Sequence, residues 1–455
     1  MTYALRLAER YHDLEFQKLS EKALVTAKQC LIDYLACTFA GVPYESSKIV
    51  REFSYENYAG GACTVIGGKG KLVPAGAAFT NGTTGHAVEL DDCTNEGGGH
   101  PAVTIIPVAL AMAEHSGQSG ADVLRAIVIG YDTFIRIGKA ANYDSCFARG
   151  FHPTALFGMF AAAMTASTLL KLSTKKTTNA MGIVGSYAAG NLECYADGSY
   201  TKRLQPGIAG SSGVTAAMLA AKGYTGPKTI LEGPRGFYHA YCDGARPEDL
   251  ARNDAFFEIE SISFKPHACC RFNQAAIDAV LEILSKNHIP SGSIESILVE
   301  LPERPYNIVG QPQEIKFNPK NAVDGQFSAP YSVAIASIEK RALLQEYTEE
   351  SVVRSDVREL MKKISVKHAR GLDRYFPESF PTRVTVTTNG GETFIKEVRY
   401  PKGDPQNPLT WDELLQKFAY CVSGGLTAKR SSRIVDMVMN LEKVGDIRDF
   451  TKLFQ

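Results

Sequence analysis

The segment from Gly85 to Pro101 gathers His86 and His100, Glu89 and Glu96, and Asp91 and Asp92, with Thr94 among them and Gly97-Gly98-Gly99 at its end. Histidine exchanges protons near neutral pH, and consecutive glycines let a backbone approach a ligand closely. Acid–base work on a small substrate is one reading. A helix end followed by a solvated polar loop is the plainer one. A metal centre is a third, but the spacing fits no standard ligand motif, so no metal is predicted. Further on, His152 stands before Pro153, which biases it away from helical angles. Thr154 is expected to cap the apolar, alanine-rich helix that follows, whose positive end would favour an anion. Lys202-Arg203 precedes a second run of small residues. It is either a solvated pair, or a carboxylate-binding cation or a lysine base. Phe264-Lys265-Pro266-His267-Ala268-Cys269-Cys270-Arg271 offers Lys265, His267 and Arg271 to an anion. Its adjacent cysteines form neither a CxxC pair nor an iron–sulfur set and are expected to be buried thiols. Tyr331, at a helix start, is a further acid–base candidate or a core residue.

There is no Walker loop, no dinucleotide fingerprint after a strand and no nucleophile elbow. Gly67-Gly68-Lys69-Gly70-Lys71 lacks the Walker spacing and reads as a surface loop.

These residues need a scaffold. The chain has 455 residues, which predicts two domains. Apolar spacing predicts helices over residues 23–39, 105–113, 121–139, 155–170 and 214–222. The 105–113 and 155–170 runs are too apolar to face water and belong in a core. After about residue 258 the texture changes. Ile294 to Leu301 has strand character. Arg383 to Thr388 and Thr393 to Val398 alternate with period two around Asn389-Gly390-Gly391, a hairpin pattern. Helices are expected at 274–285 and 329–340, and again at 414–420 and 432–441. The predicted fold is mainly α with an inserted α+β domain: residues 1–260 plus 401–455 helical, residues 261–400 α+β.

Forty-nine Lys+Arg balance forty-nine Asp+Glu, which argues against a broad nucleic-acid-binding face. No stretch reaches the ~18 uncharged apolar residues of a membrane span. The first residues lack a basic-then-apolar export pattern, so a cytoplasmic protein with reduced thiols is expected.

The set resembles the MmgE/PrpD family across nearly the whole chain. The resemblance rests on Asn81-Gly82 through Gly85-His86-Ala87, Leu90-Asp91-Asp92, Gly99-His100-Pro101, Gly150-Phe151-His152-Pro153-Thr154 and Thr201-Lys202. It continues at Leu231-Glu232-Gly233, Phe264-Lys265-Pro266 with Cys270, Phe327-Ser328 with Tyr331, Gly403 to Thr410, and Lys417-Phe418. It implies a helical domain with an inserted α+β lid, a homodimer, and no metal or organic cofactor. The activities it implies are those of 2-methylcitrate dehydratase, cis-aconitate decarboxylase and iminodisuccinate epimerase, all on small polycarboxylates. His100, His152, Lys202 and Tyr331 take the catalytic roles. Asp92, Thr94, Thr154, Lys265, His267 and Arg271 take the substrate-binding ones. Three positions depart from the family pattern, at Glu89, Cys93 and Cys270, and these weigh against decarboxylation. A cofactor-independent hydro-lyase is the reading adopted. An epimerase or decarboxylase, or a non-catalytic polycarboxylate-binding protein, are the alternatives.

Overall fold

A computed structural model describes residues 1–251 and 256–455. The chain divides into two compact units: Met1–Ala87, Asp91–Ile262 and Thr410–Gln455 form the first, Val88–Leu90 and Ser263–Leu409 the second. The elements that position the site and the second unit's sheet are numbered in chain order.

The first unit is built on α1 (Tyr3–His12), α2 (Glu21–Gly41), α3 (Pro74–Gly85), α4 (Ala102–Ser116), α5 (Gly120–Ala141), α6 (Pro153–Leu169), α7 (Thr174–Gly185) and α8 (Thr201–Ala221). The most apolar runs lie innermost, as expected: α4 and α6 are buried on nearly every face. Helix α6 packs against α4, α5, α7 and α8. Helices α3 and α8 cross with almost nothing between them. A Cβ at Gly207 would lie 2.3 Å from the Phe79 carbonyl oxygen, and one at Gly82 only 3.1 Å from the Gly207 Cα. That approach sets the first turn of α8 beside the end of α3.

Two local expectations are corrected. Helix α8 begins at Thr201, so Lys202 lies inside its first turn, not before it. Pro206 marks no boundary, although it lacks the N–H that would bond the Lys202 carbonyl. His152, not Thr154, occupies the N-cap of α6, and Pro153 takes the first helical position, where its missing N–H costs nothing.

The second unit contains α9 (Gln274–Lys286), β1 (Ile294–Leu301), α10 (Ala329–Glu339), β2 (Ile364–His368), β3 (Thr382–Thr388) and β4 (Thr393–Val398). The sheet order is β2-β1-β3-β4. The predicted hairpin is present, with Thr382 opposite Val398 and Thr387 opposite Thr393. Strand β2, absent from the sequence reading, pairs parallel to β1 with Val299 opposite Val366. Helix α9 covers β3 and β4. The chain then returns to the first unit with α11 (Trp411–Val422) and α12 (Ala428–Met439), both packed on α2. Among the described residues no helix is long and apolar enough to cross a membrane. All ten cysteines are buried thiols.

Candidate active site

In the first unit three imidazoles and one ammonium converge. His86, at the C-terminus of α3, is fully buried. Its Nδ1 lies 2.9 Å from Asp91 Oδ2, and its Nε2 3.0 Å from Lys202 Nζ. A carboxylate accepts and an ammonium donates, so His86 carries its proton on Nδ1 and offers Nε2 as the acceptor for Lys202. The His100 ring centre is 4.9 Å from that of His86, and the His152 ring stacks on His86 at 5.9 Å. His100 Nδ1 donates to the Asp92 carbonyl oxygen at 2.7 Å and lies 3.4 Å from Asp91 Oδ2.

His152 is held from both sides. Its backbone N–H donates to the Gly190 carbonyl, and Leu192 N–H donates to that of Gly150. Its Nδ1 lies 2.6 Å from Gln205 Oε1, while Gln205 Nε2 donates to the Asn191 carbonyl at 2.6 Å. The second bond fixes which end of the amide faces the ring. The His152 proton is therefore on Nδ1, and Nε2 carries a lone pair with no hydrogen-bond partner among the described residues. Burial, above all, pushes the imidazole well below its ordinary range; the Lys202 charge and then the neighbouring His86 and His100 push the same way. Neutral His152 is thus the stable form at pH 7.

The loop between α3 and α4 supplies the frame. Gly99 has φ of +82°, and a Cβ there would come within 2.8 Å of the Thr154 nitrogen, so only glycine fits. The Thr154 hydroxyl accepts from the His100 backbone N–H at 3.1 Å, tying the loop to α6. Thr94 closes the loop: its N–H donates to the Gly99 carbonyl and its hydroxyl accepts from Gly97 N–H. Asp92 points inward. Oδ1 accepts from Ala102 N–H at the start of α4, and Oδ2 from the Tyr131 hydroxyl at 2.6 Å.

Burial first, and Asp33 and Asp91 next, push the Asp92 carboxyl up to about 8, against the two donors that lower it. A carboxyl raised in the folded state adds stability that is fully present below its unfolded value of about 3.9 and is lost as pH rises toward the folded value. Wild type should therefore lose thermal stability between about pH 4 and pH 8 relative to Asp92→Asn. Melting curves of the two proteins across that range check this, and parallel curves would exclude it.

The remaining candidates belong to the second unit. Lys265 is fully buried; its Nζ donates to the Glu89 carbonyl at 2.8 Å and lies 3.9 Å from the Glu89 carboxylate. His267 Nε2 lies 3.0 Å from Asp278 Oδ1, and Asp278 Oδ2 accepts from Lys402 N–H. Arg271 pairs with Asp404 and covers the Phe380 ring. The buried Tyr331 hydroxyl donates to the Glu346 carbonyl at 2.6 Å, and burial raises it above the usual phenol range.

The structure brings His100, His152, Lys202, Asp92, Thr94 and Thr154 into one neighbourhood of the first unit. The sequence reading omitted from its site the residue at the middle, His86, along with Asp91 and Gln205. His86 and Asp91 were visible in the polar segment, but nothing local distinguished them. Gln205, three residues beyond Lys202, carried no signal.

Could a metal sit here? His86 and His100 each present a protonated Nδ1 to an acceptor, and the Lys202 ammonium caps the remaining His86 nitrogen. A cation would have to displace that ammonium. Activity is accordingly expected to survive EDTA; loss on chelation with recovery by one specific metal would contradict it.

Two family matches cover most of the chain: residues 5–250 match the MmgE/PrpD N-terminal domain and residues 267–443 the MmgE/PrpD C-terminal domain. The chain belongs to the MmgE/PrpD family. Its similarity to cis-aconitate decarboxylase of Aspergillus terreus is 27% identity, covering 97% of this chain and 93% of the relative. A cis-aconitate decarboxylase-like protein of Aspergillus oryzae is 30% identical over 97% of this chain and 95% of its own length. The mitochondrial 2-methylcitrate dehydratase of Yarrowia lipolytica is 25% identical over 92% of this chain and 83% of its own. The C-terminal MmgE/PrpD match runs past the second compact unit into α11 and α12, which pack on α2 of the first.

Proposed function

We propose that this protein is a cofactor-independent hydro-lyase that removes water from a small hydroxy di- or tricarboxylate of the 2-methylcitrate type. The observation that carries the reading is His152, a buried imidazole disfavoured as a cation, with its proton fixed on Nδ1 and its Nε2 lone pair available. Such a group is a base. It takes the proton from the carbon next to a carboxylate, and the C–H electrons pass into an enediolate. The Lys202 ammonium, steadied by His86 and Asp91, stabilises that charge. The electrons then form the alkene as the neighbouring C–O bond breaks, and the leaving hydroxide takes a proton from His100 and departs as water. In this reading Lys265, His267 and Arg271 bind carboxylates, and Asp92, Thr94 and Thr154 position the groups that act. The enzyme is read as a cytoplasmic homodimer.

Decarboxylation is the second reading. It is favoured by the 27% and 30% identity to cis-aconitate decarboxylase and to a decarboxylase-like relative. Incubation with citrate, 2-methylcitrate and cis-aconitate separates the cases. New conjugated-alkene absorbance, with deuterium entering at the α-carbon in D2O, is expected. Carbon dioxide release from cis-aconitate would move the assignment to decarboxylation, and exchange without net conversion to epimerisation. No turnover or exchange with any of the acids would leave a polycarboxylate-binding protein.

A further inference from the structure

A polar cavity lies in the first unit, at the opposite end of α6 from His152. Helix α6 has 17 residues, which places the two ends about 25 Å apart. The cavity encloses about 300 Å³, and among its lining residues are Tyr11, His12, Arg125, Ser167, Lys171 and Thr177. Among the described residues no acidic one lines it, whereas arginine, lysine and histidine do.

Three features go beyond a chance grouping of cations. First, Lys171 closes α6 in a Schellman turn: Leu172 N–H bonds the Ser167 carbonyl and Lys171 N–H that of Thr168. The residue at that place is left-handed and is usually glycine; here it is a lysine with φ of +52°. Lys171 is exposed, and its left-handed backbone sets the direction in which its side chain leaves the helix end at the cavity rim; its ammonium has no carboxylate partner among the described residues. Second, Ser167 is 1% exposed and its hydroxyl has no hydrogen-bond partner, although it could have bonded back along its own helix. Third, the local countercharges are weak. Asp122 lies 3.9 Å from Arg125, and Asp13, itself exposed, lies 4.0 Å from His12. Arg125 also donates to the Leu14 carbonyl, which orients its guanidinium. The Tyr11 hydroxyl is committed to Asp132 and takes no part.

We propose that this cavity is a binding site for a small organic anion, bound by Lys171, Arg125 and the Ser167 hydroxyl through a phosphoryl or carboxylate group. It is separate from the catalytic histidines and does not depend on the reaction assigned to them.

The test uses inorganic phosphate and malonate as probes, with affinity read by calorimetric titration and by the rise in Tm. Lys171→Gly removes the charge at a position where glycine relieves the backbone, so the variant is expected to fold at least as well as wild type. Its affinity for the better probe should fall about tenfold or more, a typical loss for a charged hydrogen bond. Ser167→Ala and Arg125→Gln should also weaken binding, Lys171→Arg should retain it, and kcat/KM of all four should stay near wild type. Preference for phosphate would assign a phosphorylated ligand, and preference for malonate a dicarboxylate. The proposal is overturned if neither probe binds saturably, or if Lys171→Gly and Arg125→Gln bind both probes as wild type does.

Discussion

His152→Ala is expected to lower kcat by about 10²-fold or more while the protein stays folded, because a group that moves a proton acts in the transition state. The same environment predicts the pH profile. Burial, Lys202, His86 and His100 hold the imidazole below its ordinary value of about 6.5, so the acid limb of kcat/KM should fall below that pH. Gln205→Glu puts a carboxylate on Nδ1 in place of an amide oxygen. It should move the acid limb upward, whereas a merely structural Gln205 would change stability and leave the limb in place. Stability follows the same sign. A histidine whose folded value is depressed contributes stability that is present above about 6.5 and lost as pH falls toward the folded value. His152→Gln should flatten that acid loss. An unchanged limb in Gln205→Glu, or near-normal kcat in His152→Ala, would remove His152 from the chemistry.

The second large effect is on folding. Lys417 of α11 lies 2.5 Å from Asp33 of α2, with side-chain exposures of 8% and 0%. Burial opposes the lysine charge, yet Asp33 raises Lys417 above its ordinary value on balance. Lys417→Met leaves the Asp33 carboxylate buried without its main countercharge, which typically costs about 3–5 kcal/mol. The double variant Asp33→Asn/Lys417→Met should recover much of that loss, because no buried charge remains. Denaturant midpoints of the two single variants and the double variant give the coupling directly. Additive losses would mean that the pair is not acting as one. For wild type the raised lysine adds stability that is present below about pH 10.4 and fades at higher pH.

Much of the scaffold was legible because it depends on neighbours a few residues apart. The apolar runs of α4 and α6 could not face water in any fold. The hairpin announced itself by alternation and by Asn389-Gly390-Gly391. His100 and His152 stood out because each sits beside a glycine or proline that disturbs regular structure, and Lys202 because it is one of two adjacent cations ahead of a run of small residues. Strand β2 was missed because its five residues alternate too briefly, and its partner β1 lies more than sixty positions earlier. The start of α8 at Thr201 differs from the reading because Lys202-Arg203 looks like a polar pair ahead of the small-residue run, whereas both lie in the first turn of the helix that crosses α3.

The sequence by itself determined the kinds of group available and the helices that carry them: neutral-range acids and bases, cations enough for a polycarboxylate, and cores too apolar for solvent. Tertiary structure decided which of them act together. His86 is five residues from Asp91 but 116 from Lys202, and only the packing of α3 on α8 sets it between them. Asp92 reads like a ligand in the chain, yet it turns inward to Tyr131 and the start of α4. The protonation of His152 follows from burial and from charges on other helices. Desolvation and Coulomb forces act through space, and their strengths are fixed only when the chain has closed around them.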